Sequence, residues 1–100
     1  MLLRERDTER GLLVSVCDDG LVGETFENGE ISLTVRESFY GGEEAVVADA
    51  DAVVAGLKRA SVANLVGEEC VGVAVEAGLI EEATVIDIGG TQHAQLLNLR

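Results

Sequence analysis

The chain has 100 residues, of which 47% are hydrophobic, enough for the core of one small domain. No segment is apolar enough for a membrane span, and the charged residues 4–7 do not resemble a secretory signal, so we expect a cytoplasmic protein with no membrane partner. Nineteen acidic side chains against seven basic ones give a formal net charge of -12. Such a surface either repels nucleic acid and membranes or is adapted to a salt-saturated cytoplasm, and we favour the halophilic interpretation. Because high salt screens charge, the acidity then does not exclude RNA as a partner.

The first half of the chain predicts β-structure. Residues 2–7 alternate weakly among charges, as an edge strand does, and residues 12–17 are apolar on nearly both faces, as a central strand is. We expect an irregular or one-turn helical connection over residues 21–28, followed by a turn at Asn28-Gly29. Residues 31–36 then alternate between inward apolar and outward polar side chains, which is the clearest strand signal in the chain.

Helical periodicity dominates the second half. Apolar residues at i, i+3, i+4 and i+7 predict a helix over residues 50–60, with Asp49 as its N-cap. A second apolar stripe predicts a helix over residues 62–78. Gly67 and Gly72 weaken this helix, so we expect a break near Gly67 or a close helix crossing at one of the two glycines.

Two short strands, residues 84–88 and 95–99, are expected at the end of the chain around a glycine-rich turn. The predicted order is therefore β-β-β-α-α-β-β. This order predicts a single α+β domain over residues 1–100, in which a small mixed or antiparallel sheet carries two helices on one face.

His93 is the only histidine, and it is the only candidate for general acid-base catalysis. Gly89 and Gly90 would let the backbone approach a ligand closely, while Gln92 and Gln95 add amide groups beside the imidazole. Alternatively, the two glycines form a hairpin turn that His93 caps by hydrogen bonding.

A second candidate ligand-binding segment joins two aromatic residues, Phe39 and Tyr40, to a flexible pair, Gly41 and Gly42. It could form a stacking platform for a base or a lid over a pocket, or it could anchor a strand-to-helix connection in the core. Asn64 has two interpretations as well: an amide that reads a ligand, or the N-cap of a helix that begins at the next residue.

We expect no metal site and no cofactor. Cys17, Cys70 and His93 are isolated from one another, whereas zinc ligands come in closely spaced pairs. The glycine patterns that hold phosphates are missing, and so is the nucleophile motif of the serine hydrolases. We expect both cysteines to be reduced and buried.

Six segments, spread in order over nearly the whole chain, carry a family resemblance: Val16-Cys17-Asp18, Leu21 to Phe26, Phe39 to Glu43, Ala63 to Glu68, Glu76 to Ile80, and Ile88 to Gln95. Together they resemble the archaeal domain of unknown function 424 family, DUF424. The resemblance implies an archaeal origin and a compact domain, but no mechanism. Glu24 stands where members of that family commonly carry a lysine, which argues against a phosphate-binding role there.

The leading functional hypothesis is a non-catalytic module that binds RNA or a ribonucleoprotein and is linked to translation, by analogy with other small archaeal housekeeping domains. The segments around Tyr40, Asn64 and His93 would lie on one surface and supply stacking, backbone donors and amide readout with little charge. This chemistry suits single-stranded or looped RNA.

Two alternatives stay open. A protein-interaction or assembly module would dock a protein partner or a second copy, as a homodimer, through apolar helix positions at Val71, Val75 and Leu79. A small enzyme would act on a nucleotide-like substrate, with His93 as general acid-base opposite Asp87 or Glu43.

Overall fold

The computed structural model describes residues 1–98, which form eight strands and three helices. The strands are β1 (Leu2–Thr8), β2 (Gly11–Cys17), β3 (Thr25–Asn28), β4 (Ile31–Thr34), β5 (Val46–Val47), β6 (Val62–Val66), β7 (Ile86–Ile88) and β8 (Thr91–Leu97). The helices are α1 (Glu37–Tyr40), α2 (Ala50–Arg59) and α3 (Glu68–Glu76), and a 3₁₀ turn spans Glu82–Thr84. The protein is therefore an α+β fold, as the sequence predicts.

Six of these strands form one sheet in the order β5-β1-β2-β6-β8-β7. All neighbouring pairs are antiparallel except β2 and β6, which run parallel at the centre of the sheet. The apolar strand β2 is central, as expected, while β1 is an edge strand except at Leu2 and Leu3, which pair with the two-residue strand β5. Within the described residues, no helix is long and apolar enough to cross a membrane.

The two longer helices, α2 and α3, cover one face of the sheet, in agreement with the prediction. Helix α2 begins where expected, because the side chain of Asp49 accepts a hydrogen bond of 2.9 Å from the backbone N–H of Ala52. Its apolar stripe, including Val53 and Leu57, is fully buried against the sheet residues Val14 and Leu65. This face holds the larger of the two cores, and we call it the helix face.

The opposite face, which we call the open face, is only partly covered. The short helix α1 and the separate two-stranded hairpin β3-β4 lie over one end of it. Their apolar side chains form a second, smaller cluster in which Val35 and Tyr40 are buried against Cys17 and Val66. The rest of the open face carries polar and partly exposed side chains.

The predicted helix over residues 62–78 is wrong in its first part. Val62–Val66 is strand β6, paired with both β2 and β8, and α3 begins only at Glu68. The expected break lies at Gly67, whose φ of 126° no other residue type adopts without strain. Asn64 therefore lies in the middle of a strand, and its predicted N-cap role is wrong.

The other corrections concern short elements. The connection expected over residues 21–28 contains strand β3, which pairs with β4 across a turn that begins at Asn28, as predicted. Phe39 and Tyr40, considered as possible anchors of a strand-to-helix connection, belong to the short helix α1. The last two strands begin at other residues than expected. The first, β7, begins at Ile86, after a 3₁₀ turn over residues 82–84, and the second, β8, begins at Thr91 instead of residue 95. The end of the predicted strand over residues 95–99 lies outside the described residues.

Candidate functional site

Four polar side chains form a row across the open face of the sheet. Arg4 on β1 pairs in register with Ser15 on β2, Ser15 with Asn64 on β6, and Asn64 with Gln95 on β8. Residues directly opposite one another in neighbouring strands point to the same face. With strands about 4.8 Å apart, this polar row spans roughly 14 Å of the open face.

The two amides of this row bind each other. Gln95 Nε2 donates a hydrogen bond of 2.8 Å to Asn64 Oδ1. Gln95 is exposed and Asn64 is half-buried. The bond leaves Asn64 Nδ2 as a donor and Gln95 Oε1 as an acceptor, neither of which has a partner among the described residues. The pair can therefore present one donor and one acceptor, held in a fixed orientation, to a ligand on this face.

His93 lies beside this pair, two residues before Gln95 on β8 and on the same face. Its Nδ1 lies 2.9 Å from the carbonyl oxygen of Leu65. Because a carbonyl can only accept, Nδ1 carries a proton, and Nε2 is the ring atom that can accept from a ligand in that tautomer. Asp87 is in register with Gln92, so it points to the helix face and cannot pair with His93. The geometry therefore lacks the acid-base pair that an enzyme using these two residues would need.

A cleft of about 530 Å³ opens between β1, β4 and α1, on the open face. We call it the arginine cleft, because two arginines and no acidic residue line it. The lining residues are Arg6, Leu33, Thr34, Arg36, Ser38, Phe39 and Tyr40. The predicted aromatic segment thus contributes to a cleft, while Phe39 and Tyr40 also pack edge to face, with ring centroids 5.0 Å apart.

Arginine side chains from β1 hold α1 in place at this cleft. The guanidinium of Arg4 donates to the carbonyl oxygens of Ser38 and Gly41 and forms an ion pair with Glu44. Arg6 Nη2 donates to the carbonyl oxygen of Ser38 at 3.0 Å. The side chain of Arg36, by contrast, is exposed and has no hydrogen bond or ion pair within the described part of the chain. Arg36 is therefore the cation of the cleft that a ligand can engage most easily.

The remaining predicted ligand-binding residues lie elsewhere. Gly89 and Gly90 form the turn between β7 and β8, and a Cβ at Gly89 would lie 2.6 Å from the carbonyl oxygen of Glu27. Gly89 therefore serves close packing against the β3-β4 hairpin. Gly42, with a φ of 83°, and the neighbouring Gly41 end α1. Gln92 points to the helix face.

A second cleft, of about 380 Å³, lies on the helix face between α3, the 3₁₀ turn and strands β7 and β8. Three valines, three carboxylates, a glycine and an amide surround it, and no basic residue does. The lining residues are Val71, Gly72, Val75, Glu76, Glu82, Val85, Asp87 and Gln92. We call it the acidic groove, and its charge is opposite to that of the arginine cleft.

The ends of the two parallel strands form the junction between these faces. After β2 the chain turns to the open face, and after β6 it enters α3 on the helix face, an arrangement that often creates a ligand site in α/β proteins. Here the carboxylate of Asp18 accepts hydrogen bonds of 2.8 Å from the backbone N–H groups of Glu69 and Cys70. The N-terminus of α3 is thus occupied by the protein's own anion.

Both cysteines are free and buried, as expected. Burial, reinforced by the nearby charge of Asp18, raises the pKa of Cys17 to about 11. The pKa of the Cys70 thiol rises further, again mainly through burial. Both thiols are therefore protonated near neutral pH and are poor nucleophiles. Among the described residues, no group of three or more histidine, cysteine or acidic side chains could hold a metal ion.

Sequence reasoning missed Arg6, Arg36 and Asp18. The first two are rare cations in an acidic chain, and Arg36 lies three residues before the aromatic Phe39, a proximity visible in the sequence. The position of Asp18 against α3 depends on the pairing of β2 with β6, which the helical interpretation of residues 62–66 concealed.

The family model described as "Protein of unknown function (DUF424)" matches residues 5–99. The chain belongs to the DUF424 family. Its fold is similar to that of a solved structure described as an uncharacterized conserved protein from Methanopyrus kandleri, with a TM-score of 0.75 and 25% sequence identity, over 99% of this chain and 94% of that one. No curated protein matches the chain. The DUF424 assignment agrees with the resemblance carried by the six sequence segments.

Proposed function

We propose that this DUF424 protein is a non-catalytic module that holds single-stranded RNA, free or within a ribonucleoprotein, on the open face of its sheet. The observation that carries the proposal is the arginine cleft. In a chain with only seven basic residues and a net charge of -12, two arginines and two aromatic residues share one cleft that no carboxylate lines.

The cleft offers the two contacts that single-stranded RNA requires. Guanidinium groups bind phosphates with directed, charge-assisted hydrogen bonds, and Arg36 has no internal partner to give up. Aromatic rings stack on bases whatever the base, and Phe39 is the half-buried ring at this cleft. Arg36 and Phe39 would thus hold one nucleotide through its phosphate and its base.

The polar row extends this surface toward β8. The Asn64-Gln95 pair presents a donor and an acceptor to the edge of a base, and His93 Nε2 adds a neighbouring acceptor. Leu97, 66% exposed on the same face, supplies an apolar contact. An open sheet face that combines stacking with amide readout is the way several RNA-binding domains hold unpaired nucleotides.

The test is fluorescence anisotropy of the full chain with a labelled polyuridine oligonucleotide, at low and high salt. We expect Arg36→Ala to weaken binding about fivefold or more, because it removes a phosphate contact. Phe39→Leu keeps an apolar side chain but loses stacking worth about 1 to 3 kcal/mol per base. Since two arginines neutralise at most two phosphates, the slope of log affinity against log salt should be no steeper than about -1.4.

Arg10→Ala is the matched control. Arg10 is exposed in the turn between β1 and β2, away from the arginine cleft, and its removal changes the net charge as Arg36→Ala does. Equal losses in the two variants would mean that net charge alone governs binding, which contradicts the proposal. Failure of the wild-type chain to bind RNA at either salt concentration would contradict it as well.

A further inference from the structure

We infer that the acidic groove docks a short basic segment of a partner protein. The segment inserts an aliphatic side chain between Val71, Val75 and Val85 and places lysine or arginine side chains beside the carboxylates of the rim. This surface lies on the opposite face of the sheet from the arginine cleft, so the inference does not depend on RNA binding.

The floor of the groove is apolar and only partly covered. Val71 is buried, whereas Val75 and Val85 are half-buried and pack at the margin of the main core. An aliphatic side chain inserted between them would remove further apolar surface from water, at about 25 cal/mol per Å². Insertion of an apolar side chain into the groove is therefore favourable.

The carboxylates at the rim of the groove favour a positively charged occupant. Glu76, Glu82 and Asp87 form no ion pair within the described residues, and no basic side chain lines the groove. Among the described residues, the only carboxylates that form ion pairs are those of Glu5, Asp19 and Glu44, so the three at the rim differ from the other unpaired ones in that they surround an apolar floor. Three uncompensated carboxylates around an apolar floor are complementary to a cationic, amphipathic segment in direct contact with them.

Gly72 adds an independent observation. It lies in the interior of α3, where glycine costs about 1 kcal/mol relative to alanine, and a Cβ there would have no neighbour within 4 Å. The glycine in α2 differs, because a Cβ at Gly56 would lie 2.8 Å from Leu3 Cδ1. Internal packing thus explains Gly56 but not Gly72, whose missing side chain instead leaves the groove open to an external group.

The experiment is an NMR titration of the full, ¹⁵N-labelled chain with a synthetic peptide that alternates lysine and leucine. We expect the largest shift changes at the amides of Gly72, Val75 and Gln92. Gly72→Ala should weaken binding about tenfold, as truncation or filling at the centre of an interface does, while the fold becomes more stable. Replacing the leucines of the peptide with serine should abolish saturable binding.

Glu82→Gln tests the rim, and Glu30→Gln is its control, because Glu30 is an exposed carboxylate in the turn between β3 and β4. We expect only Glu82→Gln to weaken binding. Equal binding of the serine peptide, equal effects of the two glutamine variants, unchanged binding by Gly72→Ala, or no peptide binding would each overturn the inference. Sedimentation of the chain alone provides one more outcome: self-association that Arg36→Ala abolishes would identify a second copy as the occupant and overturn it too.

Discussion

The two clefts lie on opposite faces of one sheet and have opposite charges. The arginine cleft is closed by a short helix that Arg4 and Arg6 hold in place, over a small core. The acidic groove is cut into the surface of the larger core, beside a longer helix anchored by Asp18. Three of the seven basic residues, Arg4, Arg6 and Arg36, thus lie over the smaller core, and the two proposals assign a different kind of partner to each face.

The largest loss of stability is expected at the junction between the two faces, where Asp18 contacts the start of α3. A Cβ at Gly67 would lie 2.2 Å from Asp18 Cγ, and the residue has a φ of 126°. We expect Gly67→Ala to lower the free energy of unfolding by about 3 kcal/mol or more, from backbone strain and the loss of the α3 cap together. Chemical denaturation measures this change.

Gly20→Ala is the control for that variant. Gly20 also has a positive φ, of 81°, but a Cβ there would have no neighbour within 4 Å. Only the conformational cost, about 1 to 2 kcal/mol, should appear. Equal losses in the two variants would show that the contact with Asp18 is unimportant, and that the faces do not share a junction.

Alkaline pH should destabilise the smaller core, on the open face, because it ionises the buried thiol of Cys17. The pKa of this thiol rises in the folded protein from its ordinary value of 9.0 to about 11, so the folded state binds the proton more tightly than the unfolded state. Stability from this group is complete below pH 9 and decreases as the pH rises toward 11, by about 2 to 3 kcal/mol.

The measurement is the free energy of unfolding of wild type and of Cys17→Ala between pH 8 and pH 11. The difference between the two proteins should shrink as the pH rises, since other titrating groups affect both equally. A difference independent of pH would show that the thiol ionises equally well in the folded protein.

The two thiols also report how easily each face opens. Within residues 1–98, Cys17 belongs to a cluster of four buried residues, and Cys70 to one of sixteen. The smaller cluster should open more often, so we expect Cys17 to react with a thiol reagent about tenfold faster, which corresponds to about 1.4 kcal/mol. Mass spectrometry of partly labelled protein distinguishes the two sites, and faster labelling of Cys70 would reverse the comparison.

The smallest effect concerns the acidic groove. Because Gly72 is exposed within α3 and has no close neighbour, Gly72→Ala should raise the free energy of unfolding by about 0.5 to 1 kcal/mol. Thermal unfolding measures the gain. Gly56→Ala, with Leu3 in the way, should destabilise the protein. A loss of stability in Gly72→Ala would mean that the glycine serves the fold and not the groove.

The sequence predicted the elements whose signals are local. The Asp49 cap and the apolar stripe identified α2, and the apolar run identified β2. Local signals failed at residues 62–66, because Val62, Val66 and Cys70 fit a helical stripe as well as a strand followed by a helix. Pairing with β2 and β8, both distant along the chain, decides between the two.

The same limit applies to the candidate sites. The sequence alone singled out Phe39, Tyr40, Asn64, His93 and Gln95, and the structure places all five on or over the open face. The sequence pointed to Val71 and Val75 as docking positions, but it indicated neither the contribution of Arg36 nor the carboxylates around these valines, because both clefts are formed by residues from separate elements.

Composition, periodicity and capping residues therefore determined the α+β class, the central strand and one helix, while six sequence segments carried the resemblance to the DUF424 family. Only the tertiary structure decided which side chains share a face. A strand alternates its side chains with a period of two, so the register with its neighbours assigns Gln95 to the open face and Gln92 to the acidic groove. That register depends on contacts between distant parts of the chain, which no local pattern encodes.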